Sequence, residues 1–168
     1  MSASATHRQV LLARLVAALL VAFLVAGLAL YGLSWEAHGR FWANVFERPS
    51  GPMAFRFILQ PCMAAIAAIR DGFEDAKAER PPYLWTVLTD ASRRRDLLNE
   101  GLIATARVLL LGLVMDGIYQ WIVLKTFYPG EAAVVAILLA FIPYLLLRGP
   151  IDRLVRWRMG QAKAEKSR

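Results

Sequence analysis

Residues 15–33 hold nineteen consecutive amino acids without a charge, and that single run limits what the chain can become. A membrane-crossing helix needs about 20 mostly apolar residues at about 1.5 Å each. A secretory leader would carry a shorter apolar core and a small-residue cleavage site, and neither is found here, so the run reads as a retained span. Residues 102–124 form a second apolar stretch, interrupted by Arg107, Asp116 and Gln120. Residues 131–147 form a third, with Pro143 inside it. Residues 53–69 are apolar but contain Arg56, Gln60 and Pro61.

Composition agrees. Hydrophobic residues make up 58% of the 168, and mean hydropathy is +0.44. Soluble domains run nearer to about 45–50%. A soluble enzyme and a disordered chain are both disfavoured. The single cysteine, Cys62, excludes an intramolecular disulfide, and with only His7 and His38 no all-protein metal site is expected. Cys62 reads as a buried, inert thiol.

The net charge of +7 does not point to nucleic acid, because of where it sits. Residues 148–168 carry seven bases (Arg148, Arg153, Arg156, Arg158, Lys163, Lys166 and Arg168) against Asp152 and Glu165, a balance of +5. Bases beside an apolar run mark the cytoplasmic side. Arg8 and Arg14 place the N-terminus inside, Arg93–Arg95 place the start of 102–124 inside, and the basic tail does the same for the C-terminus. The chain must then return once between, and 53–69 is the segment left to do it. The expected fold is all-α: one membrane domain over 1–168, a four-helix bundle with interfacial amphipathic helices.

Outside the spans, 34–52 is rich in aromatics (Trp35, Phe41, Trp42, Phe46) and reads as an interfacial belt, with Arg40 and Arg48 balanced by Glu36 and Glu47. Residues 70–101 form a cytoplasmic loop of mixed charge. Ile66, Ile69, Phe73 and Ala76 recur at helical spacing. Pro81–Pro82 stops that helix, Tyr83–Trp85 anchors at the interface, and Asp90 caps a further helix. Gly149–Pro150 is expected to break the last span before a basic amphipathic helix at 149–160. There Arg153, Arg156 and Arg158 would hold anionic headgroups.

Small residues at four-residue spacing let membrane helices approach closely. Such stripes occur at Ala18/Ala22/Ala26, Ala64/Ala68/Gly72, Ala104/Gly112 and Ala132/Ala136/Ala140.

An ion in the bilayer costs about 2.5–3.5 kcal/mol on insertion scales and so faces protein or water. Asp116 and Gln120 share a face of one span, bordered by Tyr119; Arg56 and Gln60 share a face of another. The helices run antiparallel, and arginine's stem spans the difference in depth. An Arg56–Asp116 pair supported by Gln60, Tyr119 and Gln120 is therefore expected. It reads as a structural tie, since no further acid leads away from it. The alternative is an ion or proton relay in an oligomeric channel or transporter. Arg107, half a turn from Asp116, snorkels to the inner surface. No phosphate loop, zinc motif, nucleophile elbow or haem-binding histidine pair is present, so neither catalysis nor a cofactor is expected. Expected partners are anionic lipids, a membrane protein or a second copy.

Five segments carry a resemblance: 55–61 (FRFILQP), 116–120 (DGIYQ), 125–132 (KTFYPGEA), 140–144 (AFIPY) and 148–150 (RGP). Over about 53–158 the chain resembles a group of small, multi-span proteobacterial inner-membrane proteins of uncharacterised role. The resemblance implies a bacterial inner membrane and carries no activity.

Overall fold

The computed structural model describes residues 5–32 and 35–166. Among these every regular element is helical. Helix α1 spans His7–Tyr31, α2 Trp35–Glu47 and α3 Arg56–Lys77, with a 3-10 turn at Arg48–Ser50 between the last two. Helix α4 spans Tyr83–Thr89. Helix α5 covers Ala91–Tyr119 and continues as a π-turn over Gln120–Leu124. Helix α6 (Pro129–Ala136) runs through a second π-turn, Ile137–Phe141, into α7 (Ile142–Lys166).

The boundaries follow from local chemistry. Thr6 and Gln9 form a reciprocal capping box that starts α1. Gly32 ends it at φ +65°, a backbone conformation that favours glycine, and its N–H donates to the Leu28 carbonyl. Asp90 caps α5, its Oδ1 accepting from the Ser92 and Arg93 amides at 3.0 and 3.3 Å. Its carboxyl is held below the ordinary range by the Ser92 hydroxyl bond, with those amides adding to it.

Three helical stretches are long and apolar enough to cross a membrane: His7–Tyr31, Ala91–Leu124 and Pro129–Ala162. Helix α3 is not among them. It packs lengthwise against α7, while α1 lies against α5 and α6. One end of the assembly gathers the C-terminus of α1, α2, the start of α3 and the α5–α6 turn. The other gathers the N-terminus of α1, the end of α3, α4 and the middle of α7.

The core between them is built largely from small residues. Ala64, Ala68, Ala132, Ala136 and Ala140 are fully buried, beside Val16, Ala106, Leu109 and Leu113. The expected stripes on α3 and α6 thus lie at interfaces. The stripe on α1 does not: Ala18 and Ala22 are exposed, and α1 packs through Ala13, Val16 and Leu20. At its far end the backbones of α1 and α6 nearly touch. A Cβ on Gly27 would lie 2.6 Å from the Gly130 Cα.

Several expectations are corrected. Gly149–Pro150 does not end the last apolar helix; α7 runs on to Lys166 with Pro150 inside it. Proline frees one upstream carbonyl, but packing on both sides of this turn holds the helix: Gly149 is buried and the Arg148 carbonyl lies against Gly72. Residues 70–101 are mostly helical, with the stop at Pro81–Pro82 and the Asp90-capped helix where they were expected. Helix α3 continues past 69 as its periodicity implied, yet Ile66, Ile69 and Phe73 face outward while Ala64, Ala68, Gly72 and Asp75 face inward. Cys62, half a turn from that inward face, is exposed rather than buried. Tyr83 is no surface anchor: it is 3% exposed and packs against Tyr144, whereas Trp85 is exposed. Leu33, Ser34 and Arg168, and the side chains of Lys163 and Lys166, lie outside the described residues.

Candidate functional site

Two buried charge clusters occupy opposite ends of the assembly. The first forms where the 3-10 turn folds back over α5. Asp116 is fully buried, and its carboxylate accepts from Arg48 Nε at 3.1 Å and from Gln120 Nε2 at 2.6 Å. Arg56 Nη1 lies 2.9 Å from the same Asp116 Oδ1 in an ion pair. Arg48 Nη2 also reaches Glu131 Oε2 at 2.9 Å, and Asn44 donates to both Glu131 oxygens. Two guanidinium cations thus face two carboxylates, and the cluster sums to zero charge.

Tyr119 lies beneath both arginines, with guanidinium carbons 4.7 Å (Arg56) and 5.5 Å (Arg48) from its ring centre. Gln120 clamps the Tyr128 backbone: its Oε1 accepts from the Tyr128 N–H at 2.5 Å and its Nε2 donates to the Tyr128 carbonyl at 3.1 Å. The π-turn and the left-handed Lys125 (φ 53°) bring Tyr128 back to that position.

Arg56, Gln60, Asp116, Tyr119 and Gln120 are therefore brought together, all of them buried. Gln60 is less engaged than expected. Among the described residues neither its amide nitrogen nor its oxygen has a hydrogen-bond partner, and Arg56 makes no aligned hydrogen bond beyond its ion pair.

The sequence reading missed Arg48, Asn44 and Glu131. Arg48 had been balanced against neighbouring Glu47 on an aromatic loop, yet its side chain is wholly buried. A usable signal was Glu131, an acid in the first turn of an otherwise apolar helix beginning Pro129–Gly130.

The second cluster centres on Arg148, which is 1% exposed. Its Nε and Nη2 bind Asp75 at 2.6 and 3.0 Å, Nη2 also meets Glu100 at 2.7 Å, and Nη1 donates to the Tyr144 hydroxyl. Tyr144 in turn donates to Asp71 at 2.7 Å. The guanidinium carbon stands 4.0 Å from the Tyr83 ring centre. Burial pushes the Tyr83 hydroxyl above its ordinary range, and that hydroxyl donates to the Leu97 carbonyl. None of this group had been foreseen as a site.

No protein family, no curated protein and no solved structure matches this chain. What the site can do rests on its own geometry.

Between the clusters lies the alanine-rich core. Asp116 and Glu100 are sixteen residues apart on one helix, roughly 24 Å. The inward-facing positions between them on α5 include Thr105, Ala106, Leu109, Gly112 and Leu113. Thr105 spends its hydroxyl on the Gly101 carbonyl at 2.8 Å. Apolar packing therefore separates the two polar ends. Among the described residues no three His, Cys, Asp or Glu side chains are placed to hold a metal ion.

Of the three arginines expected at lipid headgroups, Arg153 and Arg158 are exposed. Arg156 is otherwise occupied: it pairs with Asp152 at 2.8 Å and donates to the Arg80 carbonyl.

Proposed function

We propose that the chain is a small four-span protein of the bacterial inner membrane with both termini cytoplasmic. Its role is structural or accessory, without catalysis of its own. The observation that carries this reading is the division of buried charge. Each carboxylate of the outer cluster is bound by cations, Arg148 is bound by three acceptors, and a core of small apolar side chains separates the two ends. That is the arrangement of two ties holding helices in register, not of a path across a bilayer.

The membrane reading draws on the three long apolar helices, and the inner membrane on the resemblance over about 53–158. Helix α3 is the fourth span in this proposal. Its length, about 33 Å for 22 residues, suffices to cross. Its fully buried ions are met by opposite charges, Arg56 by Asp116 and Asp75 by Arg148. Helix α2, with exposed Trp35, Trp42 and Phe46, lies at the outer interface. The end of α7, with Arg153 and Arg158, lies at the inner one.

Purification of the tagged protein from its own membrane, followed by native mass spectrometry, tests the accessory role. A foreign subunit at fixed stoichiometry is expected; its absence, with a defined homo-oligomer present, overturns that role. One observation favours a second reading, an oligomeric channel or transporter using Asp116 and Arg56: the buried polar atoms of Arg56 and Gln60 that have no partner. The Asp116→Asn variant separates the two. A relay loses proton flux in proteoliposomes at normal protein level, whereas a tie lowers the protein level through lost stability.

A further inference from the structure

We propose that the outer end carries a phospholipid site, formed where α1, α2 and α6 meet, with Arg40 as its phosphate ligand. A pocket of about 200 Å3 opens there. Its floor is the Gly27–Gly130 crossing, where the backbones of α1 and α6 come into contact. Leu24, Leu28 and Val134 line it together with Tyr31, Tyr128 and Arg40.

Arg40 is the cation of this pocket. Its guanidinium carbon lies 4.5 Å from the Tyr128 ring centre and 5.0 Å from that of Tyr31. The two rings hold the group in place but supply no anion. Among the described residues Arg40 has no ion-pair partner, and its Nε is buried without a hydrogen-bond partner. Glu131, the one carboxylate among the described residues of the pocket, is already bound by Arg48 and Asn44. His38 also lines the pocket, and its Nε2 accepts the Trp42 indole N–H. The balance inside the pocket therefore favours an anion.

Its shape favours an amphiphile. A free anion needs no apolar wall, and an acyl chain alone needs no guanidinium. The pocket is too small for a whole lipid but admits a headgroup phosphate and the start of one chain. The rest of that chain would continue over the exposed Val21 and Val25 on α1. The depth also fits. The site lies at the C-terminal end of an apolar helix beside an aromatic helix, the level at which headgroup phosphates sit. With Glu131 taken, nothing in the pocket answers a cationic headgroup, so an anionic phospholipid is preferred to a zwitterionic one. The site is distinct from the Arg153/Arg158 surface at the opposite end. It rests on the membrane reading but not on the accessory role, and failure of the membrane reading would appear separately, as a chain soluble without detergent.

The test is native mass spectrometry of the delipidated full chain in detergent, titrated with phosphatidylglycerol, phosphatidylethanolamine or inorganic phosphate. One tightly retained phosphatidylglycerol is expected. Arg40→Gln should weaken it about tenfold, the scale of one charge-assisted contact. Leu28→Trp, at a half-exposed position on the pocket wall, should weaken it by filling the space. Unchanged affinity in Arg40→Gln overturns the proposal, as does equal binding of phosphatidylethanolamine or binding of inorganic phosphate alone. If Arg40→Gln does not fold, Leu28→Trp decides: weaker retention supports the site and unchanged retention overturns it.

Discussion

Removing the charge of Asp116 should cost far more than removing the charge of Arg56, and removing both should cost less than removing Asp116 alone. The outer cluster holds Arg48, Arg56, Asp116 and Glu131 at zero net charge. Asp116→Asn keeps the shape and leaves one buried positive charge. A unit pair ~3 Å apart at an effective dielectric of about 20 is worth about 5 kcal/mol before desolvation is set against it. Breaking a buried pair from one side costs about 3–5 kcal/mol in practice. Arg56→Met also unbalances the cluster. It breaks no aligned hydrogen bond, however, and Asp116 keeps Arg48 and Gln120. Its cost should be about 1–2 kcal/mol. The double variant restores neutrality, with Arg48 facing Glu131, and should fall within about 2 kcal/mol of wild type. Thermal unfolding in detergent, followed by circular dichroism, measures this. Asp116→Asn should lower the midpoint by roughly 10 °C for a chain of this size, and the double variant should recover most of that loss. If the double variant loses the sum of the two single losses, charge balance is not what holds this cluster together.

Two other outcomes follow from the coordinates. Gly27→Ala should cost about 1–3 kcal/mol, because its Cβ would meet the Gly130 backbone at 2.6 and 2.7 Å and α1 must move away. Gly130→Ala, whose nearest contact is 3.3 Å, should cost less, and unfolding midpoints of the two variants check that order. The Asp90 cap holds its carboxyl below the ordinary value near 3.8, so its contribution is present above that value and is lost as pH falls through the lower folded one. Protection of the Ser92 and Arg93 amides, measured against their intrinsic exchange rates, should fall in that acid range and be low at every pH in Asp90→Ala.

What the sequence disclosed was set by the range of the interactions concerned. Apolar runs, the Asp90 cap and the four-residue spacing of Arg56/Gln60 and Asp116/Gln120 are local patterns, and antiparallel geometry suffices to bring the last two pairs together. Arg48 was hidden because its burial depends on a short 3-10 turn folding over α5, which no period encodes. The Arg148 cluster joins residues 48 to 73 positions apart, and Asp71, Asp75 and Glu100 looked like ordinary solvated charges. The small-residue stripe on α1 misled because alanine is common on lipid-facing surfaces as well as at contacts. Pro150 misled because propensity predicts a break that packing around Arg148 overrides.

The partners of α3 arrive late in synthesis. On the four-span reading, this helix reaches the membrane with Arg56 and Asp75 exposed to lipid. Asp116 and Arg148 leave the ribosome 60 and 73 residues later respectively. Too polar to qualify as a span by itself, α3 lacks partners for Arg56 and Asp75 until α5 and α7 have been made. It must therefore wait beside the insertion machinery, or be taken up from the surface only when α5 and α7 arrive. On that reading insertion of α3 is cooperative with that of α5 and α7, and a stalled or truncated chain ending before Arg148 should be cleared rather than accumulate.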